Sequence, residues 1–252
     1  PCHSSKKPLH TSDNHPALPT KNPEYPFDYV ENDAKKAAEE FRAAAGGGIG
    51  FHRITCAAYQ YTTGESEEAI EDLKKAPNNR DTQILLAELL ALSPSKHGEV
   101  EEILRGLSTY TSRNLSLERD LGFGLPEGVY LLMKDVPGAR KASLQRLKES
   151  TSISAHEKSM LRFIAEDIGE DELLREQSDS SIHLADAHRL IGMKYYADGY
   201  SKKALFHWQQ CVESCRFWPQ AYIARALQRH IVANLNDTTQ VKELPNGQPT
   251  AR

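Results

Sequence analysis

Histidine and cysteine are the residues of this 252-residue chain whose types could carry chemistry, ten of one and four of the other. His183 and His188 stand five apart, which separates them on a helix, and no HExxH or paired CxxC spacing occurs. His3, His10 and His15 fall in a Pro-rich stretch that fixes no ligand geometry. Cys211 and Cys215 are four apart, a spacing that suits two structural thiols on one helix better than a disulfide. With Cys2 and Cys56 they are too few for a disulfide scaffold. Gly46-Gly47-Gly48-Ile49-Gly50 is followed by Phe51-His52-Arg53, whereas a phosphate loop needs a preceding strand and a following Gly-Lys-Ser/Thr; it reads as a helix stop and hinge. No Gly-x-Ser-x-Gly elbow is present. Glu67-Glu68 and Glu101-Glu102 sit on polar faces. Glu166, Asp167, Glu170, Asp171 and Glu172 form an acidic run that reads first as a solvated helix junction and second as a docking patch for a basic partner. Asn114-Leu115-Ser116 and Asn236-Asp237-Thr238 fit the glycosylation pattern. The expectation is no catalytic residue, no metal ligand and no cofactor.

Composition narrows the classes of partner. A net charge of −4, with no dense cluster of Lys and Arg, disfavours nucleic acid and anionic membranes. The longest helical apolar stretch, Ile84–Leu92, is interrupted by Glu88 and is far short of the ~20 residues that cross a bilayer. The chain begins at Pro1, so a removed leader and an extracytoplasmic location both stay open.

The elements that must position any site are helices. Residues 1–28 hold six of the 13 prolines and read as a disordered tail; 236–252 read as a flexible one. Between them, 29–235 form one helical domain. Asn32-Asp33 can cap a helix through Ala45. Helical pairs follow at 51–62 and 65–76, Asp81–Leu92 and Glu99–Leu107, and Leu117–Lys134 and Ala139–Glu149, split by Gly64, by Ser93-Pro94-Ser95 and by Val136-Pro137-Gly138. Further pairs are Ala155–Asp167 with Glu170–Glu176, and Ala185–Ala197 with Ser201–Cys215; Pro219 opens a last helix over about 220–234. Strand alternation is nearly absent, so the fold class is all-α, an antiparallel helix-hairpin array with a compact bundle as the alternative.

Residues 185–218 resemble a tetratricopeptide repeat of ~34 residues. With Ala185 as position one, Gly192, Tyr195, Gly199, Ala204, Trp208 and Cys211 fall on positions eight, eleven, fifteen, twenty, twenty-four and twenty-seven. His188 at position four and Arg216 at position thirty-two depart from the pattern. Residues 50–83 resemble the repeat more weakly through Ala57, Gly64, Ala69, Leu73 and Ala76. The closing stretch is also similar to bacterial TPR lipoproteins of the NlpI type, which implies an extracytoplasmic adaptor. The resemblance implies a TPR-like α-solenoid whose first helices line a concave groove, here with Asp186, Arg189, Met193 and Tyr196 and, in the weaker window, Phe51, Ile54, Ala58 and Tyr61. Arg189 and Met193, or Ile54 and Ala58, stand where a chaperone-type clamp carries Lys and Asn, so that ligand is not expected.

The expected function is a non-catalytic scaffold or adaptor that binds a peptide or partner protein in that groove. The alternatives are a helical-bundle enzyme or enzyme accessory domain, and a self-assembling subunit that packs through its apolar end at Phe217-Trp218.

Overall fold

The computed structural model describes residues 50–76, 79–108, 124–150, 153–215 and 219–237. Residues 1–28 and 238–252 of the expected tails, the helix expected after Asn32, residues 46–48, Asn114, residues 117–123 and Phe217-Trp218 lie outside the described residues, as do the side chains of Phe51, Ile54 and Asn236; residues 236 and 237, expected in the flexible tail, end the last helix. Among the described residues there are eleven α-helices and no strand: α1 (Gly50–Thr63), α2 (Ser66–Lys74), α3 (Arg80–Ala91), α4 (His97–Ser108), α5 (Pro126–Leu132), α6 (Val136–Glu149), α7 (Ala155–Ile164), α8 (Glu170–Glu176), α9 (Ser181–Ala197), α10 (Ser201–Ser214) and α11 (Pro219–Asp237). A 3₁₀ turn, Pro94–Lys96, links α3 to α4. None of these helices is long and apolar enough to cross a membrane.

Consecutive helices pack in pairs: α1 on α2, α3 on α4, α5 on α6, α7 on α8 and α9 on α10, with α11 laid on α10. Local chemistry sets the boundaries. Asn79 and Ser154 accept the Thr82 and Glu157 amides at 2.9 and 3.1 Å, and so cap α3 and α7. Several boundaries differ from the sequence expectation: the helix expected over Leu117–Lys134 begins at Pro126 after a non-helical 124–125, the one expected to Asp167 ends at Ile164, and two others have a clear local cause. Ser180 accepts the His183 amide, so α9 begins at Ser181 rather than Ala185. Val136-Pro137-Gly138 does not break a helix; it opens α6. Asp135 caps the Gly138 amide at 2.9 Å, and Pro137 sits in the first turn, where a missing N–H costs nothing.

The ends of α1, α5, α7 and α9 share one geometry. In each, two backbone bonds reach back into the last turn: from Gly64 to Tyr61 and Glu65 to Gln60, Lys134 to Leu131 and Asp135 to Tyr130, Glu166 to Phe163 and Asp167 to Arg162, and Gly199 to Tyr196 and Tyr200 to Tyr195. This is the Schellman cap, which needs a left-handed residue at its first position. Gly64 and Gly199 supply it at φ +90° and +84°, whereas Lys134 and Glu166 adopt φ +61° and +63° with side chains present. A side chain in that region costs about 1–2 kcal/mol. Lys134, Glu166 and Gly199 follow one another at intervals of 32 and 33 residues.

At the α9–α10 hairpin the approach is close. Trp208, 1% exposed, lies across Gly192, where a Cβ would fall 2.3 Å from the indole nitrogen. That nitrogen donates to the Arg189 carbonyl at 3.0 Å. Ala204 and Cys211 are fully buried beside it.

Contacts also run between helices distant in sequence. Helix α9 packs against α5, α7, α8, α10 and α11. Arg146 of α6 bonds Glu127 of α5 at 3.1 Å and also Glu157 of α7, which Arg80 of α3 meets at 3.2 Å. Helix α11 lies on α1: the Tyr59 and Tyr222 hydroxyls bond each other, Thr62 Oγ1 donates to the Tyr222 carbonyl at 3.2 Å, and Arg229 donates to the Thr62 carbonyl.

Candidate functional site

The groove expected along α9 is not open. Asp186, Arg189 and Met193 are buried, and so is Tyr61 of α1. The cause is the central place of α9, whose inward face meets α5 and α7 rather than solvent. Met193 lies against α5, its sulfur 3.3 Å from where a Gly128 Cβ would stand. Arg189 reaches α3 and donates Nη1 to both Glu88 oxygens, at 2.7 and 2.9 Å. Asp186 stands 4.0 Å from Arg189 Nε and 3.5 Å from His156 Nε2 of α7. His156 in turn bonds Gln177 and stacks on His183 at 4.1 Å. Burial pushes the Glu88 carboxyl up, and Arg189 only partly offsets this. Burial also pushes Tyr61 up to about 12. Of the expected groove residues with described side chains, Tyr196 alone is half-exposed; it carries Lys134 Nζ over its ring at 4.9 Å. The Cys211 and Cys215 thiols are free and buried, and they donate to the Gln220 and Cys211 carbonyls.

Open concavity lies elsewhere, on either side of Glu166. The left-handed turn after α7 lifts the Glu166 carboxylate between Arg140 of α6, at 3.3 Å, and Lys194 of α9, at 3.5 Å. On one side an apolar basin of about 420 Å³ is lined by Val136, Pro137, Arg140, Lys141, Leu144 and Glu166. Leu144 on its floor is 51% exposed. On the other side a basin of about 370 Å³ is formed by Phe163, Asp167, Ile168, Gly169, Glu170, Lys194 and Tyr195, with Glu166 common to both. The two basins meet along a saddle that carries the acidic run.

The charges of the saddle are unevenly neutralised. Arg162 bonds Asp167 at 3.0 Å, Glu176 at 3.3 Å and Glu172 at 3.4 Å. Lys194 bonds Asp198 at 2.8 Å as well as Glu166. Glu170 accepts from the Tyr195 hydroxyl at 2.7 Å and faces His207 Nε2 at 3.2 Å. His207 Nδ1 meets His188 Nδ1 at 3.1 Å. These bonds are all satisfied when His188 donates to His207 and His207 donates to Glu170, with both rings neutral. Burial, and the neighbouring His207, lower His188 to about 4; burial also lowers His207, and Glu170 only partly offsets it. Glu170 therefore faces an imidazole rather than an imidazolium. Among the described residues neither exposed Asp171 nor Lys141 on the opposite rim makes an ion pair.

The sequence singled out the acidic run but not the basins. His183 and His188, five apart, do separate, one joining His156 and the other His207. Among the described residues no three His, Cys, Asp or Glu side chains gather as metal ligands. The chain matches no protein-family model, and no curated protein or solved structure matches it.

Proposed function

We propose that this chain is a TPR-like helical-hairpin scaffold, without catalysis of its own, that binds a partner protein on the saddle around Glu166. The observation that carries the reading is the pair of adjoining open basins, with exposed apolar surface at Leu144 and charged rims on both sides. Such a surface suits a protein segment better than a small molecule, which is usually enclosed on most sides. The near-regular return of the left-handed caps, at the spacing of a ~34-residue repeat, supports the hairpin-array reading. The seating of Trp208 on Gly192 supports it too, because those are the large and small slots of the resemblance. The array is then closed by α11 on α1 rather than open at both ends. The histidine–carboxylate pair at the edge of the second basin gives the enzyme alternative little support, because His207 is 4% exposed and its ring is shut off from a substrate in solution.

Site-specific photo-crosslinking tests the proposal. A benzophenone amino acid is placed at Leu144, at Asp167 and, as a control on α11, at exposed Val232. The expected result is one partner protein captured from positions 144 and 167 and absent from 232, which then forms a stoichiometric complex when purified. Capture from 232 alone would move the interface away from the saddle. No complex with any captured protein would end the scaffold reading.

A further inference from the structure

The saddle is electrically two-sided. On the α6 side the basin is rimmed by two cations, Arg140, already shared with Glu166, and Lys141, which has no ion-pair partner among the described residues; Lys148 lies farther along the same helix, next to exposed Glu149. On the α8 side the basin is rimmed by Asp167, which shares Arg162 with Glu172 and Glu176, and by Glu170, which faces His207; Lys194 there is taken up by Glu166 and Asp198, the exposed cation of α8 is Arg175, and Asp171 has no ion-pair partner among the described residues. Apolar surface lies between, at Val136, Pro137 and Leu144. The bound Glu166 carboxylate marks the crossing point, held by one cation from each side, Arg140 and Lys194.

Resting on the scaffold reading above, we propose that the saddle selects a peptide segment of fixed charge polarity, with an acidic end over Lys141, apolar residues on Leu144 and a basic end over Asp167 and Asp171. Complementary charges at the two ends set direction as well as affinity, since reversing the segment brings like charges together at both ends. A polyanion such as nucleic acid or a phosphatidylserine surface meets attraction on one half of the saddle and repulsion on the other, so neither fits it as a whole.

Random dodecapeptides displayed on phage are selected against the immobilised full chain. Enriched peptides are then measured by fluorescence anisotropy on the wild type, Lys141→Glu, Asp167→Lys, Leu144→Ser and the Lys141→Glu/Asp167→Lys double variant. All these positions are exposed, so folding is checked by circular dichroism and is expected to be unchanged. The proposal expects enriched peptides with acidic and basic residues at opposite ends. Each charge reversal and Leu144→Ser then weakens binding about tenfold. The double variant prefers the same peptide with its acidic and basic residues exchanged. Peptides without that polarity, or equal affinity for all variants, overturn this inference and leave the scaffold reading intact. Failure of both the selection and the crosslinking overturns the two together. Binding to phosphatidylserine vesicles lost in Lys141→Glu would replace the peptide with a membrane. A concentration-dependent dimer in light scattering, abolished by either reversal, would replace it with a second copy of the chain.

Discussion

Gly192 and Gly106 both lie inside helices, yet a methyl group has opposite consequences at the two. At Gly192 it would press into the buried Trp208 ring, which its hydrogen bond to Arg189 holds in place. The Ala variant is expected to lose about 1–3 kcal/mol despite its better helix propensity. A Cβ at Gly106 would meet no described atom within 4 Å, so Gly106→Ala is expected to gain about 0.5–1 kcal/mol. Urea denaturation of the two variants checks both signs, and a neutral Gly192→Ala would mean the indole can move. The sequence marked Gly192 and Trp208 as small and large slots, because hairpin packing imposes those sizes at that spacing. It did not mark Arg189 as buried. A signal was nevertheless present: Glu88 interrupts the run Ile84–Leu92, and a carboxylate in an apolar helix requires a cation from elsewhere in the chain. Which cation is a matter of tertiary geometry, and no spacing encodes it.

At the level of the element, the turns recur at near-even spacing, with left-handed residues at 134, 166 and 199. Gly64 and Gly199 were legible as turn residues because glycine is the usual occupant of a left-handed cap. The same turn at Lys134 and Glu166 was hidden, since neither side chain advertises the conformation. Lys134→Gly is expected to raise stability by about 0.5–1 kcal/mol, the relief of the left-handed strain exceeding the loss of the cation over Tyr196. Gly199→Ala is expected to lose about 1 kcal/mol by the converse strain. Thermal melts of the two variants should therefore shift in opposite directions. A lower melting temperature for Lys134→Gly would show that the contact with Tyr196 outweighs the backbone. Helix positions were read well, because apolar periodicity and caps are local. The boundary at α6 was misread because Pro and Gly punctuate a helix start as readily as a stop.

Across the whole molecule, the Glu88–Arg189 pair joins α3 to α9 over a sequence separation of 101 residues. Arg189→Met leaves the Glu88 carboxyl buried without its cation, and is expected to lose about 3–5 kcal/mol; adding Glu88→Met should recover about 2 kcal/mol or more. A double-mutant cycle in urea reads this directly, and strictly additive losses would show the pair to be uncoupled. Longer-range closure comes from α11 on α1, where Tyr59, Thr62, Tyr222 and Arg229 meet. An open row of hairpins pulled at its two ends yields one unit at a time, because each unit touches only the next. Here tension applied at residues 50 and 237 falls first on the α1–α11 contact, and no hairpin between them is stretched until it parts. The molecule is in that sense a latch: it holds its length up to a threshold load, then releases.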